Sequence, residues 1–247
     1  MKLISSALLA TLSILTVATH QEVGAKAPPR PNVVLILGDD QAFDDFGFAG
    51  HPVVETPRID ALAAEGARFR GYVTAPLCRP SLATLATGLY PHQHRVVGND
   101  PAKGVDGARM KARLRELPTV PRLLARSGYR TLQTGKWWEG SYADGGFTDG
   151  MTHGDPARGG RHGDEGLEIG RPGHEPIAAF LDQEGIGTDT PFFIWHAPFL
   201  PHTPHNAPER LQERYAGRGR HPAEARYFAN CTWFDESVGA VLDLLEE

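Results

Sequence analysis

Four short stretches of this chain carry side chains that could do chemistry together: "LGDDQ" (37–41), "LCRPS" (77–81), "TGKWW" (134–138) and "FLPHTPH" (199–205). Asp39 and Asp40 are adjacent carboxylates at the end of an aliphatic run. Two negative charges side by side repel, and a hard cation such as Ca²⁺ or Mg²⁺ removes that cost; a solvated loop would also hold such a pair. Cys78 stands just before Pro80 and Ser81, at the mouth of a short helix that Gly88 closes. Backbone amides and the positive end of the helix dipole favour an anion there, either a thiolate or a bound oxyanion. Three readings of this thiol stay open: a disulfide to Cys231, a buried small apolar residue, or a reactive group. Lys136 offers a point charge suited to an oxyanion, and His202 a group that can donate a hydrogen bond or proton. A metal pair, an anion-friendly helix mouth, a lysine and a histidine around one crevice would serve to hydrolyse an oxyanion ester.

These groups need a scaffold that brings strand ends together. "NVVLIL" (32–37) is a continuous apolar run, which predicts a central strand covered on both faces. "TPRIDALAAEG" (56–66) predicts a helix with Thr56 as N-cap, Pro57 at the first position, Gly66 as stop and Ile59, Leu62 and Ala63 facing inward. "ARFRGYV" (67–73) alternates like a strand, "TVPRLLARSG" (119–128) reads as a helix, and "YRTLQTG" (129–135) and "PFFIWHA" (191–197) read as strands. Residues 223–247 have helical spacing, with Cys231 and Asp235 on the apolar stripe; the expectation is a buried thiol and a buried hydrogen-bonded carboxylate. Alternating strands and helices predict an α/β fold, a doubly wound and mostly parallel sheet sandwiched by helices, whose chemistry collects at strand C-terminal ends. Residues 140–175 are rich in Gly, His and Asp and read as a long functional or disordered loop. His92 and His94 in "YPHQH" read as turn histidines.

The 247 residues, 40% hydrophobic and 22% charged, suffice for one large α/β domain. Net charge is −5 with no long basic run, which argues against nucleic acid as a partner. Residues 1–25 have a lysine near the start and then an apolar stretch, the pattern of a secretory signal cleaved after Ala18 or Ala25. The apolar run is shorter than the ~20 residues of a membrane span. The expectation is an exported, periplasmic or extracellular protein, free of the membrane after cleavage, with its domain over 31–247.

The ordered set "RPNVVLILGDDQ", "TPRIDALAAEGARF", "LCRPSLATLATGLYPHQH", "SGYRTLQTGKWWEG" and "PFFIWHAPFLPHTPHNAPERL" resembles the type I sulfatases of the alkaline phosphatase-like superfamily, from about residue 31 to the end. In that family the cysteine of a C-x-P-S-R motif is oxidised after translation to formylglycine. One oxygen of the aldehyde hydrate attacks sulfur, and the other then loses its proton to expel sulfate. The resemblance therefore implies that Cys78 is the formylglycine precursor, matured by a formylglycine-generating enzyme, and that Asp39, Asp40 and residue 78 hold the divalent metal, Ca²⁺ before Mg²⁺. It implies that Lys136 binds the sulfate group and that His202 contacts the ester. The implied substrate is a sulfated small molecule or glycan, a carbohydrate by family habit.

Three departures stand out. Leu82 replaces the motif arginine, and Arg79 points elsewhere on a helix. Trp138 replaces the histidine of the usual G-K-W-H; His153 or His162 could stand in for it, although both read as surface-loop residues. The family's second pair of metal ligands and a further lysine follow the last helix and are not in this sequence, so the chain reads as an N-terminal portion, apparently incomplete at its C-terminus. Ca²⁺ takes about 6–8 oxygens. The expectation is that these 247 residues alone bind calcium weakly and turn over sulfate esters poorly; micromolar or tighter binding in isothermal titration would contradict it. The alternatives are a phosphodiesterase or phosphonate hydrolase on the same fold, or a non-catalytic remnant that binds sulfated glycans.

Overall fold

A computed structural model describes residues 30–69, 71, 75–104, 106–158, 164–171 and 173–246; the expected signal segment 1–25 and His162 lie outside the described residues. The order is β1 (Val33–Ile36), α1 (Pro57–Glu65), α2 (Cys78–Thr87), α3 (Pro91–His94), α4 (Gly107–Glu116), α5 (Val120–Arg126), β2 (Arg130–Gly135), α6 (Tyr142–Gly145), β3 (Asp149–Gly150), α7 (Glu175–Leu181), β4 (Phe192–Ala197), α8 (Glu209–Tyr215) and α9 (Pro222–Glu246). The strands form one parallel sheet in the order β1-β4-β2-β3, with Val33 opposite Phe193 and Thr131 opposite Phe193 from the other side.

Parallel strands place alternate side chains on opposite faces, and both faces are covered here. On one face Leu35, Phe193 and Trp195 pack with Ala83 and Ala86 of α2, Met110 and Leu114 of α4, and the rings of Trp137 and Phe147. On the other, Leu132, Phe192 and Ile194 pack with Ile177 and Phe180 of α7 and Val241 of α9. The fold is thus the expected three-layer α/β arrangement. The wholly buried strand is β4, at the middle of the sheet. The expectation of a central β1 is corrected: among the described strands β1 ends the order, and Val33 is 38% exposed. A continuous apolar run marks burial on two faces but carries no information about which edge a strand occupies.

Other local expectations are met or adjusted. Gly88 ends α2 in the left-handed conformation. Thr119 caps α5 by accepting from the Arg122 amide. Thr56 takes the N-cap position of α1 but its side chain does not cap; its hydroxyl instead donates to Asp60 Oδ1 and accepts from the Gly47 amide, both at 2.8 Å. The cap comes from a distant helix: Asp235 of α9, 1% exposed, accepts from the amides of Arg58 (3.2 Å) and Ile59 (2.8 Å). Leu62, expected inward, is 46% exposed. Of the strand expected over 67–73, residues 70, 72 and 73 lie outside the described residues and the others are irregular. The segment 140–175, expected to be one long loop, is built from α6, β3, 3-10 turns and the start of α7 over its described residues. Cys78 and Cys231 are both free thiols, so the disulfide reading is set aside; burial pushes the Cys231 thiol up to about 12. His92 and His94, expected in a turn, lie in the short helix α3; His94 is buried at its end and its Nδ1 accepts from the Val96 amide.

Two buried groups give testable stability effects. Asp235→Ala removes the acceptor for two helix amides and should cost about 2 kcal/mol in urea unfolding, with Asp235→Asn recovering part of it. His196 on β4 is fully buried, with Nδ1 at 3.0 Å from Thr134 Oγ1 and Nε2 unpartnered among the described residues. Burial first, and the nearby His174 second, pull its pKa down to about 3. The native state refuses a proton that the unfolded chain accepts below about 6.5. Stability should therefore be flat in this respect above pH 6.5 and fall progressively towards pH 3, and His196→Asn should show a smaller fall in urea midpoint between pH 7.5 and 5 than the parent.

Candidate active site

Strand ends place the principal groups. β1 runs into Gly38 and Asp39, whose amide donates to the Leu200 carbonyl after β4 at 2.9 Å. β2 ends at Gly135 in the left-handed region (φ 80°), where an added Cβ would lie 2.0 Å from the Ala197 carbonyl oxygen. Only glycine allows this approach, and the Lys136 amide then donates to that same carbonyl at 2.7 Å. The lysine therefore leaves the sheet directly beside the aspartates. Its ammonium is 2.7 Å from Asp39 Oδ2, with the side chains 3% and 11% exposed. It lies 4.9 Å from the Phe199 ring centre and 5.7 Å from that of Trp138. Trp138, at the position where the resemblance expects histidine, thus walls the lysine.

Asp39, Asp40 and Cys78 each offer a ligand atom, and all three atoms lie within 4.8 Å of one another. With Lys136, Gln41, Ser81 and Leu82 they line a cavity of about 400 Å³. Asp40 takes a left-handed backbone (φ 58°), which Asp tolerates better than most residues. Its turn is pinned: the Tyr227 phenol donates to the Asp40 carbonyl (3.2 Å) and to Asp45 Oδ2 (2.5 Å), and the Ala42 amide donates to the same carboxylate (3.0 Å). Burial, with Cys231 and Asp45 alongside, raises the Tyr227 pKa, so the phenol stays a donor. Gln41 Nε2 donates to the Asp45 carbonyl, which leaves its buried Oε1 as an acceptor without a donor among the described residues.

At the helix mouth the structure departs from the simple expectation. Leu77 is the N-cap and Cys78 the first helical residue. The Arg79 amide donates to Asn99 Oδ1 at 3.0 Å, and Pro80 has no N–H. Two of the amides that would serve an anion are therefore committed or missing. Asn99 Nδ2 also sits 3.9 Å from Cys78 Sγ. Arg79 points away from the cavity into a buried two-pronged pair with Glu139, at 2.5 and 2.7 Å. It does not substitute for the arginine that Leu82 replaces.

His202 reaches the group from a loop between the cis peptides Leu200–Pro201 and Thr203–Pro204. Its ring stacks on Phe199 at 4.2 Å, Nδ1 is 2.8 Å from the Thr203 carbonyl, and Nε2 is 3.3 Å from Asp40 Oδ2. It stands at Asp40, outside the residues that line the cavity. Arg171, unremarked in the sequence reading, ties this loop down: its guanidinium donates to the carbonyls of Phe199 (2.6 Å) and His202 (3.1 Å), bonds Asn206 and lies over Trp233. Burial lowers its pKa. Tyr227, Asn99, Glu139 and Arg171 were all missed, because their partners are 20 to 187 residues distant in sequence and no local pattern signals them. His153 faces Glu165 at 3.3 Å on the surface and takes no part.

The donor set suits a hard cation in its carboxylates and in the idle Gln41 oxygen. The Cys78 sulfur is a poor ligand for such an ion unless oxygen replaces it. Removing Lys136 should leave two crowded carboxylates. Lys136→Met is expected to cost about 3 kcal/mol in urea unfolding, and Asp39→Asn in the same background should restore much of it. Additive losses in that double-mutant cycle would contradict the pairing.

A family model described as Sulfatase matches residues 31–247. The chain is 43% identical over 118 residues to arylsulfatase A of Homo sapiens, a match covering 47% of this chain and 22% of that protein. It is 37% identical over 124 residues to N-acetylgalactosamine-6-sulfatase of Mus musculus, covering 47% and 23% respectively. The crystal structure of Ps i-CgsB superposes with a TM-score of 0.68 at 25% identity, covering 88% of this chain and 55% of that one. The chain thus spans about half the length of its structural relative, and its matches to the curated relatives span under a quarter of theirs.

Proposed function

The chain belongs to the sulfatase family, and from that premise we propose that its site hydrolyses a sulfate ester, with residue 78 carrying the reacting group. The observation that carries this reading is the convergence of Asp39, Asp40 and Cys78 within 4.8 Å, with Lys136 on Asp39. Cys78 is the site where a formylglycine-generating enzyme would install the aldehyde, and that conversion would exchange a soft sulfur for oxygen beside two carboxylates. Asp39, Asp40 and the residue-78 oxygen would hold a divalent cation, Ca²⁺ before Mg²⁺, which when bound draws negative charge from the ester oxygens.

The remaining chemistry belongs to the chain's own side chains. Lys136 is held by Asp39 and walled by Phe199 and Trp138, and its buried ammonium would meet an anionic head group there. His202 has its Nδ1 committed to the Thr203 carbonyl, which aims Nε2 at Asp40; from that edge of the cavity it would contact the ester. Arg171 positions the His202 loop through the carbonyls it binds. Leu82 on the cavity wall contributes apolar surface where the family motif has a cation. A sulfated carbohydrate is the proposed substrate class and export the proposed destination; among the described residues no helix is long and apolar enough to cross a membrane.

The test is to produce the chain with a formylglycine-generating enzyme and weigh the Cys78 peptide. The aldehyde form, accompanied by slow but measurable hydrolysis of 4-nitrophenyl sulfate that Cys78→Ala abolishes, is the expected result. A thiol throughout, or preferential cleavage of bis(4-nitrophenyl) phosphate, would sink the sulfatase assignment in favour of no formylglycine chemistry or of a phosphodiesterase.

A further inference from the structure

A second concave surface lies away from the carboxylates. α4 reads Gly-Ala-Arg-Met-Lys-Ala-Arg-Leu-Arg-Glu, and its Met110 and Leu114 are buried in the core. Arg109 and Arg113, four residues apart, share a neighbouring face. Arg95, the left-handed cap residue of α3, joins them across a groove of about 660 Å³ floored by Met110 and Ala112 and bounded by Glu116. Arg113 pairs with Glu116 at 3.2 Å on the surface, a contact an incoming anion can compete for. Arg95 and Arg109 have no carboxylate partner among the described residues. Residues 95–116 carry six basic and three acidic side chains within a chain of net charge −5. One of those acids, Asp106, is engaged in capping α4. Three of the six basic residues, Arg95, Arg109 and Arg113, line the groove beside the single acid Glu116, while Arg115 is paired with Asp144; the groove thus carries net positive charge in an otherwise acidic protein and raises the local concentration of anions.

The groove is tied to the reaction site by the chain itself. Arg95 is four residues before Asn99, whose side chain touches Cys78 Sγ and the Arg79 amide. Four residues span at most about 14 Å, so a polymer seated on the arginines would lie close to the cavity. Guanidinium forks bind sulfate and carboxylate oxygens in pairs.

We infer that the Arg95–Arg109–Arg113 groove binds a sulfated, anionic polysaccharide and presents it to the site at Cys78. The choice of a sulfated ligand rests on the sulfate-ester reading above. The groove adds that the substrate is a polyanion chain, held by charges beyond the ester being cleaved, and it assigns a site of its own.

Fluorescence anisotropy of the full chain with fluorescein-labelled dextran sulfate tests this. Arg95→Glu/Arg109→Glu should raise Kd by about tenfold or more, with a shallower salt dependence. Arg126→Glu, which removes charge from an exposed site outside the groove, should leave Kd within about twofold. Arg109→Gln, read beside its melting temperature, separates lost charge from lost fold: weaker binding at an unchanged melting temperature supports the groove. Hydrolysis of 4-nitrophenyl sulfate should be unchanged in all three variants. Unchanged dextran sulfate affinity in the double variant would overturn the inference, as would single-stranded DNA binding to the parent as tightly as dextran sulfate. Groove-dependent binding with no ester hydrolysis by the parent would support the groove and count against the hydrolase.

Discussion

Two neighbouring carboxylates at the open end of a parallel sheet are the constraint around which this molecule is arranged. Asp39 and Asp40 leave β1 together, and each meets a cationic or imidazole partner from another strand end: Lys136 after β2 and His202 after β4. A charge removed from water must be paired, and a lysine 3% exposed is held in place by the carboxylate it faces. The glycine before it, with no side chain to collide with the Ala197 carbonyl, is what lets the lysine leave the sheet at that point. The sheet order makes this possible, since β4 lies between β1 and β2 and brings their ends into one crevice.

Around that pair several long-range polar contacts hold backbone loops in place. Tyr227 and Asp45 fix the left-handed turn at Asp40. Arg171 fastens the His202 loop by its carbonyls. Asn99 braces the first turn of α2 against Cys78, and the Arg79–Glu139 pair anchors that turn from behind. None of these supporting residues lines the cavity itself. Their shared effect is to fix the backbone on which Asp40, Cys78 and His202 stand, which in the proposed reading is pre-organisation of the site. α9 participates twice, capping α1 with Asp235 and holding the Asp40 turn with Tyr227, so the longest helix links the outer layer to the site.

The family's departures acquire physical content in this setting. Trp138 replaces a polar ring with a wall against which Lys136 packs. Leu82 turns a face of the cavity apolar. Both changes add apolar surface to the site, and in the proposed reading they strengthen the dependence of anion binding on Lys136, since interactions between charges grow where water is excluded. The basic groove beside Asn99 then offers, in the proposed reading, the cations that the pocket itself lacks.

The residue pattern alone determined the α/β class, the helices at 57–65, 78–87, 120–126 and 222–246, the strands at 130–135 and 192–197, and the four motifs whose side chains converge. These are local signals: apolar period, cap residues, glycine stops and short motifs, each complete within a dozen positions. Tertiary structure decided the rest. It put β1 at the end of the described strand order, gave Asp235 the capping role that Thr56 held in the sequence reading, and recruited Tyr227, Asn99 and Arg171. It also drew Lys136 onto Asp39, a contact across 97 residues. A hydrogen bond or ion pair between distant segments depends on where the sheet and helices bring them. Side-chain type proposes such partners, and only the packing of the layers selects among them.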